Sequence, residues 1–148
     1  MTEPLRMSFE VACSVDRAFA VWTSETRRWW PATHTVSGAN GVRVTFENGV
    51  GGRIFERTPG GEEHEWGWIT AWEPPRRLVY HWHIRADRSD ATEVEIRFQP
   101  VGERVTRVEI EHRGWERLGA HGPRWREINR AGWKGVLPAY RATAAREV

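Results

Sequence analysis

The sequence predicts an α+β fold: a curved antiparallel sheet of six or seven strands around one long C-terminal helix, with two short helices after the first strand. Apolar residues alternate with polar ones at period two near the N-terminus and again in several turn-separated segments. Consecutive strands joined by short turns favour an antiparallel meander with one solvated side. Only Pro123 to about Arg146 is long enough for a major helix. A strongly bent sheet cannot close its own core, so that helix must fill it and can leave a cavity beneath.

Met7, Phe9, Val11, Cys13 and Val15 form the apolar face of the first strand. Asp16 then offers an N-cap for a short helix carrying Ala18, Phe19, Val21 and Trp22. Thr23 and Ser24 offer a second cap, and Pro31 ends the next helix at Trp30. Strands follow at Val42–Phe46, Arg53–Arg57, Glu65–Trp72, Leu78–Arg85 and Thr92–Phe98. Turns at Gly51-Gly52, Pro59-Gly60-Gly61 and Glu73-Pro74-Pro75 separate them. After Pro100–Glu103 a last strand places Thr106, Val108, Ile110 and His112 on its inner face, because Arg107, Glu109 and Glu111 cannot be buried.

In the C-terminal helix Ile128, Gly132, Trp133, Val136, Ala139 and Tyr140 share one side. Glu127, Arg130, Lys134 and Arg141 share the other. Pro123 sits near the first turn, where a helix tolerates proline. Pro138 removes a hydrogen bond to the Lys134 carbonyl and is expected to bend the helix. Asn129 is a polar residue within the apolar stripe, and Gly132 costs about 1 kcal/mol relative to alanine in mid-helix.

The 148 residues fit one domain that buries roughly 68–70% of its unfolded surface. Ten tryptophans supply much of the core volume. A formal charge of +2 gives no argument for nucleic acid, and 21 of the 22 basic residues are arginines spread along the chain. A single cysteine, Cys13, excludes an intrachain disulfide and fits a reducing compartment. Without a long apolar stretch or a signal-peptide pattern, the expectation is a cytoplasmic protein with no membrane insertion.

The run Gly67-Trp68-Ile69-Thr70-Ala71-Trp72-Glu73-Pro74-Pro75-Arg76-Arg77-Leu78-Val79-Tyr80-His81-Trp82 resembles a known family. So do Trp29-Trp30-Pro31, Gly51-Gly52-Arg53, Glu111-His112-Arg113 and Gly132-Trp133, in the same order over nearly the full length. The chain resembles the heat-shock chaperone ATPase-activator homologues, a branch of the START-like (SRPBCC, pollen-allergen-like) superfamily. The resemblance implies the helix-grip fold with a hydrophobic cavity between sheet and long helix. Superfamily members bind lipids, hormones or polyketides, and some catalyse cyclisation or dehydration. The co-chaperones that name the branch carry further regions, for which these 148 residues leave no room.

No phosphate loop, zinc-protease motif, serine elbow or cysteine pair is present, so no catalytic residue is assigned and neither metal nor cofactor is expected. His81 and His83 fall opposite Leu78, Tyr80 and Trp82 and read as solvated. His34 follows Trp30-Pro31 and is placed at a cavity mouth. His112 needs a hydrogen-bond partner or must stay neutral. Glu56 is that partner if the Ile54 face is inward; the face of Arg53, Phe55 and Arg57 is the alternative. Trp66, Trp68 and Trp72 share one face and Ile69 the other. Periodicity puts the tryptophans inside, whereas the resemblance turns Ile69 inward and leaves an outer apolar patch for a homodimer.

The expected function is binding of a small hydrophobic or aromatic molecule by Trp22, His34, Glu56, Trp82, His112, Asn129 and Trp133. The alternatives are a cyclase or dehydratase with His112 or Glu56 as proton carrier, and a chaperone-interaction domain.

Overall fold

The computed structural model of the protein describes residues 2–146. Seven strands form one sheet: β1 (Leu5–Val11), β2 (Arg43–Phe46), β3 (Arg53–Arg57), β4 (Glu63–Glu73), β5 (Arg77–Trp82), β6 (Thr92–Gly102) and β7 (Val105–Arg113). Their order is β1-β7-β6-β5-β4-β3-β2, antiparallel throughout. Helices α1 (Val15–Ser24) and α2 (Thr26–Trp29) follow β1, and α3 (Gly122–Ala145) follows β7. This is the α+β helix-grip architecture.

Alternation explains β1, where Leu5 and Val11 are buried and Arg6, Ser8 and Glu10 are exposed. It explains β7 equally well, with Thr106, Val108, Ile110 and His112 buried along one face. The cap of α1 is Ser14 rather than Asp16: its side chain accepts from the Arg17 N–H, and Asp16 lies inside the first turn. At the other end of the fold, α3 continues as one helix through Pro138 to Ala145. Its terminal carbonyls at Thr143 and Ala144 accept from the Arg17 guanidinium at 2.9 and 3.0 Å, a cation placed where the helix dipole favours one.

Strand β4 departs from both sequence readings. One extra residue, Trp66, bulges against β3, and Thr70 bulges against β5. Each bulge shifts the alternation by one. Trp66 and Ile69 are therefore both buried, and Trp72 packs edge-on against Phe19 at 5.2 Å. Gly67 beside the first bulge is sterically required, because a Cβ there would stand 1.9 Å from the His81 carbonyl oxygen. Only Trp68 remains outside, sandwiched between the His81 ring at 4.6 Å and the Arg88 guanidinium at 4.2 Å. The expected outer apolar patch thus reduces to one covered ring.

His81 and His83 are also less solvated than expected. His81 stacks on Trp68, and His83 is buried with Nε2 2.9 Å from Glu65 and Nδ1 3.1 Å from the Ala86 carbonyl. The outer face is otherwise occupied by paired charge. Arg113 bridges Glu93, Glu95 and Glu111, while Arg77 holds the other oxygen of Glu95 at 2.7 Å. Burial pushes the Glu95 carboxyl up, but Arg77 and Arg113 outweigh it and hold the pKa at about 2.

Candidate functional site

Helix α3 turns Trp133, Val136 and Tyr140 down onto the sheet, all buried. Towards its C-terminal half the space below is filled. Trp22 packs against Tyr140 at 4.8 Å, Trp29 at 5.1 Å and Trp133 at 6.1 Å, and Tyr140 donates to the Ala18 carbonyl at 2.7 Å. Trp22 is wholly buried core and, against expectation, is not among the residues that line the pocket beside Trp133.

On the other side of Trp133 an open pocket of about 120 Å³ remains. Its apolar wall is Trp30, Trp82, Ile84, Ile128, Trp133 and Val136, and its polar members are His34, Arg85 and Asn129. A cavity of about 150 Å³ holds a benzene ring, so this pocket takes roughly one aromatic ring and leaves the rest of a larger molecule at the mouth. Gly132 lines it as well, and a Cβ built there meets nothing within 4 Å. A helical glycine that faces empty space keeps the pocket open.

Local chain geometry sets the polar side. Strand β5 ends at Trp82, short of the expected Arg85, and the chain turns with the Ala86 N–H on the His83 carbonyl at 2.8 Å. Arg85 takes φ 60°, the left-handed region that costs a side-chain-bearing residue. Its guanidinium returns across the pocket edge to the carbonyls of Thr35 (Nε 3.2 Å, Nη2 2.7 Å) and Thr33 (Nη2 3.4 Å). The residue between those carbonyls is His34. Trp30 adds a third tether, its indole N–H donating to the His34 carbonyl at 2.9 Å. On its far side the His34 imidazole rests against α3 at Gly135, where a Cβ would stand 2.5 Å from Nε2. Burial, and then the Arg85 cation, hold the His34 pKa below its ordinary value, so the ring is neutral at pH 7. Asn129 spends its amide N–H on the Trp125 carbonyl at 2.9 Å, which leaves its side-chain oxygen as an acceptor.

His112 points into the space between sheet and helix but sits one layer behind the pocket, sealed by Trp133 and Trp115. Its Nδ1 accepts from the Trp133 indole at 3.0 Å, and its Nε2 lies 2.7 Å from the Thr92 hydroxyl. Thr92 in turn donates to the Trp82 carbonyl at 3.3 Å. An acceptor at Nδ1 requires the proton on Nε2, so the ring is a neutral donor–acceptor link. Burial alone pushes its pKa down to about 3.

Glu56 is not its partner. The Ile54–Glu56 face is inward, but the Glu56 carboxylate accepts from the Val36 N–H (2.5 Å), the Ser37 N–H (3.1 Å), the Ser37 hydroxyl (2.7 Å) and the Trp66 indole (2.8 Å). Burial raises its pKa, and these four donors more than offset it, leaving a buried anion below the usual range. Glu56 pins the 35–37 loop to the sheet and does not line the pocket.

Of the expected site residues, the pocket brings together His34, Trp82, Asn129 and Trp133; Trp22, Glu56 and His112 stand outside it. Sequence reasoning did not assign Trp30, Ile84, Arg85, Ile128, Gly132 and Val136 to the site. The advance signals were the Trp-Pro step at the end of α2, the apolar residue before the Arg85 loop, and the apolar side of the C-terminal helix that carries Ile128, Gly132 and Val136. Chemically the mouth combines a fixed cation, a neutral imidazole and an amide acceptor around an indole-lined slot.

Comparison with known proteins fits this frame. Txn09, an anthrahydroquino-γ-pyrone synthase solved in complex with SUM, is 36% identical, with 82% of each chain covered and a TM-score of 0.60. CalC, a self-sacrificing resistance protein from Micromonospora echinospora, is 26% identical over 96% of this chain and 94% of its own, with a TM-score of 0.69. PFC0360w, an HSP90 activator from Plasmodium falciparum, shares the fold at 19% identity and a TM-score of 0.53, with 75% of this chain and 72% of that one covered. No protein with a curated description matches the sequence. No helix among the described residues is long and apolar enough to cross a membrane. The family model described as Activator of Hsp90 ATPase homolog 1-like protein matches residues 12–140, and the chain belongs to that family.

Proposed function

We propose that the protein binds a small planar aromatic molecule, one ring seated between Trp30, Trp82 and Trp133 and the remainder at the mouth beside His34. The carrying observation is Gly132: the helix that covers the sheet leaves out a side chain where the pocket needs room. Indole faces supply stacking surface at little conformational cost, and three polar groups at the rim orient what enters. The likeness to Txn09, an anthrahydroquino-γ-pyrone synthase, supports the same ligand class.

Titrating a series of substituted naphthalenes against intrinsic tryptophan fluorescence tests the proposal. At least one should quench or shift the emission saturably, and Gly132→Leu, which fills the slot, should abolish the response. No response from any member, or an equal response in Gly132→Leu, removes the pocket as the site.

The 36% identity to a synthase favours a second reading, an enzyme of the cyclisation type. In that reading His34, neutral and at the mouth, is the group able to accept a proton, a role the notionally suited His112 cannot fill because both its nitrogens are engaged. The two readings separate by mass spectrometry of the molecule recovered after incubation: a binder returns it unchanged, an enzyme returns a product.

A further inference from the structure

We propose that the pocket selects aromatic anions: planar molecules carrying a carboxylate, phenolate or enolate oxygen, which Arg85 receives at the mouth. This rests on the binding reading above and adds the charge of the ligand. Arg85 spends Nε and Nη2 on two backbone carbonyls, which are neutral, and Nη1 has no hydrogen-bond partner among the described residues. No carboxylate among the described residues lies within ion-pair distance of it. Four acids share a second groove with it: Glu63 is paired with Arg53 and Arg57, Glu65 is committed to His83 and Arg88, and Asp87 and Asp90 make no ion pair with it. This contrasts with the outer sheet face, where Arg6, Arg77, Arg97 and Arg113 all have carboxylate partners.

The guanidinium is also fixed in place. The left-handed backbone at Arg85 is offset by the bonds to Thr33 and Thr35, so the cation is held at the pocket edge rather than swept through solvent. A held guanidinium beside apolar walls is suited to a charge-assisted bond with a ligand oxygen. The remaining rim groups agree. His34 is kept neutral by burial first and by that same cation second, so it does not compete for the anion, and the Asn129 oxygen accepts from a neighbouring hydroxyl on the ligand.

The test uses three naphthalenes of one shape in isothermal titration calorimetry: 2-naphthoate, 2-naphthamide and 2-(aminomethyl)naphthalene, at pH 7 and about 50 mM salt, where screening is modest. The expected order is anion, then amide, then cation, with naphthoate at least about tenfold tighter than naphthamide, the size of one good charge-assisted bond. Raising the salt to about 500 mM should shrink that ratio. Arg85→Gln should bring it to about one, and Arg85→Lys should retain part of it. Arg88→Gln, a charge change over Trp68 outside the pocket, should keep it. A thermal melt of each variant identifies any that fails to fold; the wild-type ratio and its salt dependence then stand as the test. Naphthamide binding as tightly as naphthoate, or a ratio that survives Arg85→Gln in a folded variant, overturns the anion selection and leaves the binding reading intact. If none of the three binds, both fall together.

Discussion

Two histidines lie on opposite sides of Trp133, and they are used in opposite ways. His112 has both ring nitrogens occupied and no contact with water, and it carries structure. His34, at the pocket mouth, has one nitrogen near Thr33 at 3.1 Å and the other beside a bare glycine, with a cation next to it. A polar group whose bonds are all made inside the protein has nothing left for a ligand. A polar group held in place by others, with capacity to spare, is what recognition requires.

The largest test of this contrast is His112→Ala. It leaves the Trp133 indole without its acceptor and the Thr92 hydroxyl with only its bond to the Trp82 carbonyl, and it opens a void in a dry space, so urea denaturation should register a loss of about 3–5 kcal/mol. A loss under about 1 kcal/mol would show that the network holds nothing. His34→Ala, by comparison, should cost little stability and most of the ligand response.

Acid titration sharpens the same point. The folded pKa of His112, about 3, lies below its ordinary value of 6.5, so in that window the unfolded chain binds the proton and the folded one does not. The stability tied to the neutral ring is complete above about pH 6.5 and is lost as the pH falls toward about 3. Wild type should therefore lose stability faster than a folded His112→Gln variant between pH 6 and 4, by up to about 1.4 kcal/mol per pH unit. Parallel slopes would mean the ring protonates in place.

Smaller effects come from the two mid-helix glycines of α3, Gly132 and Gly135. Gly132→Ala should raise stability by up to about 1 kcal/mol in a thermal melt, because the glycine costs helix propensity and its missing side chain faces open space. Gly135→Ala gains the same propensity but drives a methyl into the His34 ring. The imidazole should move outward and its pKa, read by NMR, should rise toward the ordinary value as burial and the Arg85 field weaken. An unmoved His34 signal would mean the ring does not rest on the helix.

Much of the fold was legible because charge and apolarity alternate without ambiguity in β1 and β7, where a register slip would bury several charges. The inward facing of His112 followed from the same asymmetry. What was not legible arises where one residue is inserted or a chain turns early. The Trp66 and Thr70 bulges leave no mark in a pattern of tryptophans and small residues, so neither face of β4 could be chosen correctly as a whole. The early end of β5 converts Ile84 and Arg85 from strand residues to pocket rim. Three of the four donors to Glu56 come from an irregular loop 19–20 residues away, which no periodicity announces.

Strand β1 pairs only with β7, Leu5 standing opposite His112 and Val11 opposite Thr106. On a ribosome adding about 5–20 residues per second, the first strand made has no partner for on the order of 10 s. From β3 onward each strand can pair with its immediate predecessor as it emerges. Met7, Phe9 and Val11 must stay out of other contacts throughout that wait. Non-local closure of this kind slows folding, and it makes the joining of the earliest and latest strands the step at which the sheet commits.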